Sequence, residues 1–149
     1  MHKEVATVLK RIGTTTCLEK ANFLEAESFQ SRALNLRDLD LEQKNIIAIA
    51  NVIRHERDRY TITSISFSYN SLMGDLGAAV LVKSFPHSLS EIGLVGCGIG
   101  DKGGYAILNW MKSATSLKMI CIEHNEFSKI LKMDYLAFKK ANPNIIVVF

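Results

Sequence analysis

The residues best suited to chemistry lie together at 121–124, where the sequence reads Cys-Ile-Glu-His. A thiol, a carboxylate and an imidazole are groups that bind zinc or build a cysteine nucleophile. Zinc requires three or four converging ligands, and a thiol nucleophile requires a base within hydrogen-bond reach. On a strand Cys121 and Glu123 face outward while His124 begins the next turn, so the three side chains diverge. We therefore expect surface residues here, with no metal ion and no catalytic site.

A second chemical motif is Gly98-x-Gly100-x-x-Gly103, which matches the G-x-G-x-x-G loop of dinucleotide-binding proteins. That loop belongs to a doubly wound sheet and has an acidic partner about twenty residues further on. The segment around these glycines is not such a sheet unit, because the glycines fall on the turn of a sequence repeat. We interpret them as turn residues and expect no cofactor.

The elements that position these residues belong to that repeat. Three successive segments follow the pattern L-x-x-L-x-L-x-x-N/C-x-L, and their first residues lie 27 and 28 positions apart. A fixed period of this kind predicts a solenoid, in which each unit buries its apolar face by stacking on the next. The pattern positions are Ile62, Ile65, Phe67, Asn70 and Leu72; Leu89, Ile92, Leu94, Cys97 and Ile99; and Leu117, Ile120, Ile122, Asn125 and Phe127.

Each copy predicts a short strand, a turn and a helix. Apolar residues two apart share one face of a strand, so the L-x-L pairs point inward. Asn70, Cys97 and Asn125 follow at the turn, where a buried side chain must hydrogen-bond loop backbone groups. The apolar period then changes to about 3.6, which indicates a helix. The predicted helices cover 77–85, 103–111 and 130–140.

A weaker fourth copy lies upstream of these three. Its apolar positions are Leu34, Leu36, Leu39 and Leu41. Leu39 stands where the turn Asn belongs, a departure that is typical of a terminal repeat. A helix at 42–55 is expected to follow. At the other end Pro143 stops the last helix, and 145–149 supply one final strand.

Residues 1–30 do not fit the repeat. They predict a short amphipathic helix that ends at Gly13, and then a second helix at 17–29. Thr16 and Glu19 have the spacing of a capping box for that second helix. We interpret this segment as an N-terminal helical cap that covers the first repeat. The alternative is a degenerate repeat that is cut by the start of the sequence.

The run 89–103, with Leu108 five residues on, resembles the leucine-rich repeat of the ribonuclease-inhibitor type, which also builds the sensor domains of NOD-like receptors. The resemblance covers 31–149, as about four repeats plus a terminal strand in a single domain with the cap. It implies an α/β fold: a right-handed solenoid with a short parallel sheet on the concave side and helices on the convex side. Proteins that bind many different partners share this repeat as a scaffold, so the resemblance implies an architecture more than a function.

Composition agrees with one compact domain. The 149 residues are 48% hydrophobic, and no apolar run is long enough to span a membrane. No secretory signal is recognised at the start, and the three cysteines are an odd number without paired spacing. We therefore expect a cytoplasmic protein in a reducing compartment, without membrane insertion. A net charge of +3 from scattered basic residues does not indicate nucleic acid.

The densest basic patch comprises Arg54, His55, Arg57 and Arg59. We interpret it as a solvated helix end, where cations are placed favourably at the carboxyl terminus. A role in binding phosphate or an acidic partner is the alternative.

The outward row of the strands is the predicted binding surface. Solenoids commonly bind partners along their strand face, and small side chains here leave an accessible floor. The favoured function is a non-enzymatic module that binds a partner protein. A small structural or coupling subunit of a larger assembly is the alternative, as is the terminal part of a longer receptor or effector. The predicted contact residues are Arg37, Ser64, Ser66, Ser68, Tyr69, Glu91, Gly93, Val95, Cys121, Glu123 and His124.

Overall fold

A computed structural model describes residues 1–26 and 31–149, which form six helices and five strands. The elements in chain order are α1 His2–Ile12, α2 Thr15–Ala26, β1 Ala33–Asn35, α3 Gln43–Glu56, β2 Ser64–Ser66, α4 Gly74–Val82, β3 Glu91–Gly93, α5 Asp101–Met111, β4 Met119–Cys121, α6 Lys129–Ala141 and β5 Ile146–Val148.

The strands form one parallel sheet in the order in which they occur along the chain. Neighbouring strands are joined through helices, so the fold is of the α/β class. The register aligns the central residue of each strand with that of the next. These central residues are Leu34, Ile65, Ile92, Ile120 and Val147, and all are buried. The prediction that the L-x-L positions point inward is confirmed.

One face of the sheet belongs to the core and the other is open. The buried strand residues share a single apolar cluster with the inner faces of the helices, including Ile49 of α3, Leu81 of α4, Ile107 of α5 and Leu131 of α6. Successive helices α3 to α6 pack on one another in the same order as the strands. This arrangement is compatible with a solenoid.

The prediction for the repeat that begins at Ile62 is wrong at one core position. Leu72 was expected in the core, yet 62% of its surface is exposed, and Met73 is buried in its place. The connection from strand to helix has the same length here, at 67–73, as in the next repeat, at 94–100, but its backbone differs, because Gly74 has φ of 64° and Gly100 has φ of −90°. Helix α4 begins at Gly74 and ends at Val82, rather than covering 77–85.

At the N-terminus α1 ends at Gly13, as predicted, in the left-handed conformation. The prediction of a capping box at Thr16 and Glu19 is wrong, because α2 begins at Thr15 and Thr16 therefore lies within the helix. The Cys17 amide donates instead to Thr14 Oγ1 at 3.3 Å. The predicted end of this helix at residue 29 lies outside the described residues. Helix α1 packs on α2 and α3.

Within residues 1–26 and 31–149, no helix combines the length and the apolar character needed to cross a bilayer.

Candidate functional site

The turns behind the strands are held by asparagine side chains. Asn70 is fully buried and uses its whole amide group. Its Oδ1 accepts from the amides of Leu39 at 3.2 Å and Leu41 at 3.0 Å. Its Nδ2 donates to the carbonyls of Leu36 at 2.8 Å and Phe67 at 2.7 Å. One side chain thus joins the turn of its own repeat to the turn of the preceding one.

Asn125 repeats this network two units further along. Its Oδ1 accepts from the amides of Cys97 at 3.0 Å and Ile99 at 3.1 Å. Its Nδ2 donates to the carbonyls of Leu94 at 2.8 Å and Ile122 at 2.9 Å. The expected hydrogen bonding is confirmed, but the prediction that Asn125 is buried is wrong, because its side chain is half-buried.

Cys97 occupies the same position between the two asparagines. Its thiol is buried and lies 3.4 Å from the Phe67 carbonyl oxygen and 3.5 Å from that of Val95. Burial in the core raises the pKa of the Cys97 thiol to about 11. Cys97 is therefore an inert structural residue, as its place in the repeat predicts.

A feature that we did not predict is the backbone conformation just after the strands. Asp38, Tyr69, Gly96 and His124 occupy equivalent positions, and all have φ between 54° and 64°. This left-handed conformation turns the chain away from the strand direction. It places Tyr69 and His124 at the end of the open face. The glycine at position 96 was the available signal, because glycine favours positive φ.

The open face of the sheet contains a groove of about 270 Å³. Its floor is made by the outward residues of β2, β3 and β4, and its rim by Arg37, Tyr69 and Glu123. The groove gathers ten of the eleven predicted contact residues, and Met119 joins them. The lining residues are Arg37, Ser64, Ile65, Ser66, Ser68, Tyr69, Glu91, Ile92, Gly93, Val95, Met119, Cys121 and Glu123. His124 is exposed and lies outside this lining.

The largest side chain of the groove is fixed by its neighbours. The Arg37 guanidinium carbon lies 4.9 Å from the centre of the Tyr69 ring, within cation–π distance. The edge of the same ring lies against Gly96, where an added Cβ would be 3.3 Å from Tyr69 Cδ1. Tyr69 is nevertheless 45% exposed. It offers a held aromatic surface to an approaching molecule.

The floor residues Ser68 and Gly93 differ from expectation. Ser68 was predicted to be exposed, but it is buried, because its Oγ accepts from the Val95 amide at 3.1 Å and from the Ser66 hydroxyl at 3.4 Å. Gly93 lies over these two serines, and a Cβ there would approach their hydroxyl oxygens to 2.8 and 2.9 Å. Both residues therefore shape the floor, and a bulky group at Gly93 would displace the serines.

The segment 121–124 does not form an activated thiol. Burial and, to a smaller extent, the charge of Glu123 raise the pKa of the Cys121 thiol, which lowers its thiolate fraction. Cys121 and Glu123 both line the groove, whereas His124 does not. Among residues 1–26 and 31–149 no group of three histidine, cysteine or acidic side chains is arranged to hold a metal ion.

Two amide donors of the glycine-rich loop are occupied by a carboxylate. The amides of Gly100 and Gly103 both donate to Asp75 Oδ1 at 2.8 Å. A carboxylate of the preceding repeat thus takes the position that a phosphate would need in a nucleotide loop. Gly103 also lies close to α4, since a Cβ there would approach the Asp75 Cα to 2.9 Å. These contacts support the interpretation of the glycines as turn residues.

The three cysteines are free thiols in different environments, which predicts their order of reaction. Cys17 and Cys97 are buried, while Cys121 is half-buried in the open groove. We expect a thiol reagent to label Cys121 in the native protein and the other two only after unfolding, as followed by mass spectrometry. Cys121→Ser is the control that should remove the native labelling. Rapid labelling of Cys97 in the folded protein would contradict this core assignment.

Comparison of the chain with protein-family models finds no match, and comparison with curated proteins finds none.

Proposed function

We propose that the chain is a leucine-rich-repeat solenoid of the ribonuclease-inhibitor type, with its sheet on the concave side and its helices on the convex side. The repeated asparagine network supports this proposal. Asn70 and Asn125 make the same four kinds of bond, 55 residues apart, to equivalent backbone groups. Each repeat is thereby fastened to the one before it, which is how a solenoid gains its stability.

We further propose that this solenoid is a non-enzymatic interaction module, and that its concave sheet face binds a partner protein. The groove on the open face carries this proposal. It is wide and shallow, its floor consists of small side chains, and its rim holds Tyr69 and Arg37. Aromatic and arginine residues contribute most to protein–protein binding energy. A flat floor with such anchors suits a macromolecular surface better than a small molecule, which needs a deeper cavity.

A reducing compartment such as the cytoplasm is part of this proposal. All three cysteines are free, and Cys97 holds a structural position as a thiol. In an oxidising compartment a free, half-buried thiol such as Cys121 would be open to oxidation or mixed-disulfide formation.

Exposed apolar residues favour a second candidate function, a structural or coupling subunit of a larger assembly. Helix α6 exposes 70% of Ile130 and 69% of Met133, and β5 exposes 58% of Ile146. Apolar groups gathered near one end of a structure are typical of a protein contact. In such an assembly the binding surface would be the last unit of the chain, formed by α6 and the edge strand β5.

The test of the favoured function is a binding comparison at Tyr69. We expect Tyr69→Ala to weaken binding of the partner by about 1 to 2 kcal/mol or more, because the exposed ring contributes contact area at little entropic cost. The partner is first captured with the wild-type domain, and its affinity for purified variants is then measured by calorimetry. Ser66→Arg should also weaken binding, because it fills the floor next to the space left by Gly93.

Tyr105→Ala is the matched control, since Tyr105 is an exposed tyrosine on α5. It should bind the partner as the wild type does. Full affinity in both Tyr69→Ala and Ser66→Arg would remove the sheet face as the binding surface. Loss of binding in Met133→Ser instead would favour the structural subunit.

A further inference from the structure

A second cavity of about 220 Å³ lies away from the sheet face, beside the C-terminal ends of three successive helices. Arg57 follows α3, Lys83 follows α4, and Trp110 lies in the last turn of α5. The loops that leave α4 and α5 complete the wall. The lining residues are Arg57, Val82, Lys83, Phe85, Pro86, His87, Leu89, Trp110, Ser113, Ala114 and Thr115.

Arg57 lines this cavity, and one of its guanidinium N–H donors has no acceptor among the described residues. Its Nη1 donates to the Lys83 carbonyl at 3.3 Å, which fixes the side chain across the gap between α3 and α4. Its Nε is buried and has no acceptor among the described residues. A buried guanidinium N–H without an acceptor is costly. Since Nε itself is closed to solvent, a ligand in the cavity would contact the terminal guanidinium nitrogens, of which only Nη1 has an acceptor among the described residues.

The charge around Arg57 is positive. Arg57, Lys83 and His87 line the cavity, and no carboxylate from the described ranges does so. The residues of the basic patch predicted at the end of α3 therefore have different surroundings. Arg59 pairs with Glu56 at 3.3 Å, whereas Arg57 faces the cavity. The ends of α3, α4 and α5 together contribute about one and a half negative charges, which is still less than the two permanent cations, Arg57 and Lys83.

Most of the remaining wall is apolar, with Ser113 and Thr115 as its polar members. Phe85 and Trp110 meet edge to face, with ring centres 5.2 Å apart, and Pro86 and Ala114 also line this cavity. Trp110 is half-buried, so part of its ring remains accessible. An apolar surface beside a cluster of cations suits a ligand that has an anionic group on a flat body.

We propose that this cavity binds a small organic anion, with its phosphate or carboxylate group on Arg57 and Lys83 and a flat ring on Trp110. Arg57 supplies charge-assisted hydrogen bonds, which are stronger than neutral ones. The volume is below the ~300 to 1,000 Å³ of cavities for drug-sized ligands, so it fits a single substituted ring. The proposal is independent of the sheet face, because the two cavities share no lining residue.

The chain offers a direct readout, since Trp110 is its only tryptophan. We would titrate the whole protein with phenyl phosphate and with benzoate and follow the fluorescence of Trp110. Inorganic phosphate and benzyl alcohol are the two partial ligands, one without the ring and the other without the charge. We expect a saturable change with at least one ring anion, and binding about tenfold weaker or less for both partial ligands, because each loses one set of contacts.

Variants distinguish this site from general attraction to a basic protein. Arg57→Gln and Lys83→Ala should each weaken binding of the ring anion by about tenfold. Arg54→Gln is the matched control, because Arg54 is an exposed arginine of α3 outside the cavity. It should leave the affinity within about twofold of wild type, because Arg54 does not line the cavity and an exposed charge without direct contact contributes little. Should Arg57→Gln fail to fold, the comparison of Lys83→Ala with Arg54→Gln tests the site by itself.

A phosphate ligand is indicated if phenyl phosphate binds more tightly than benzoate, and a carboxylate ligand by the reverse; either result supports the site. Three results would overturn it. These are the lack of a saturable signal with either ring anion, equal weakening by Arg54→Gln and the cavity variants, and inorganic phosphate binding as tightly as phenyl phosphate.

Discussion

Replacing Asn70 with alanine is expected to lower the free energy of unfolding by about 3 to 5 kcal/mol. The substitution leaves two amides, of Leu39 and Leu41, and two carbonyls, of Leu36 and Phe67, without their partner. The side chain is 0% exposed, so water cannot readily replace it. A buried polar group that loses its partner costs about 1 to 3 kcal/mol, and partial relaxation keeps the total below the simple sum.

Urea denaturation measures this loss, and two other asparagines serve as references. Asn125→Ala removes the same four bonds at a half-buried site, so we expect a smaller cost of about 1 to 3 kcal/mol. Asn109→Ala lies on the exposed face of α5 and should change stability by no more than about 0.5 kcal/mol. An Asn70→Ala cost that is no larger than the Asn109→Ala cost would show that the turn network does not hold the repeats together.

The core positions of the fold could be predicted from the sequence because two separate patterns determine them. The alternation of L-x-L places Ile65, Ile92 and Ile120 on one face of their strands, and the spacing of 27 and 28 residues aligns them in neighbouring strands. The structure pairs these residues directly. Local pattern and long-range period therefore give the same answer at these sites.

The loops were less predictable, since the local backbone decides which side chain reaches the core. Leu72 and Met73 are both apolar, and composition does not distinguish them. The turn backbone, in which Gly74 has φ of 64° where Gly100 has φ of −90°, accompanies the burial of Met73. The start of α2 was misplaced for a similar reason. Thr14 and Thr16 are chemically alike, and hydrogen bonding to the Cys17 amide selects Thr14.

The candidate groove was largely predictable from strand alternation, with instructive exceptions. Ser68 alternates outward as expected, but it is buried, and its hydroxyl accepts from the Val95 amide in the turn after β3. His124 follows β4 in the left-handed conformation that Tyr69 also has, yet His124 lies outside the groove lining. Side-chain hydrogen bonds and turn dihedrals of this kind have no period in the sequence. Of the second cavity only Arg57 was singled out, with phosphate binding as the alternative role of its basic patch. Lys83 and Trp110 were not connected with it, because they come from other repeats.

Gly98→Ala is the second substitution with a large expected effect, and we expect it to cost about 2 to 4 kcal/mol of stability. Gly98 has φ of 62°, and a Cβ there would clash with the carbonyl oxygen of Ser71 in the preceding turn. Positive φ alone does not decide the result, because Asp40 at the equivalent position of the first repeat has φ of 51° and carries a side chain. The contact with Ser71 decides it, since a backbone atom cannot rotate away. The turns of two repeats would have to move apart.

Gly96→Ala separates the contribution of backbone strain from that of the clash. Gly96 has nearly the same φ of 60°, but a Cβ there would meet only the Tyr69 ring, at 3.3 Å. Asp38, Tyr69 and His124 already show that this position accepts side chains with positive φ. We therefore expect Gly96→Ala to cost about 1 kcal/mol, by urea denaturation under the same conditions as Gly98→Ala. Equal losses in the two variants would mean that dihedral strain, rather than the close stacking of turns, makes glycine necessary at position 98.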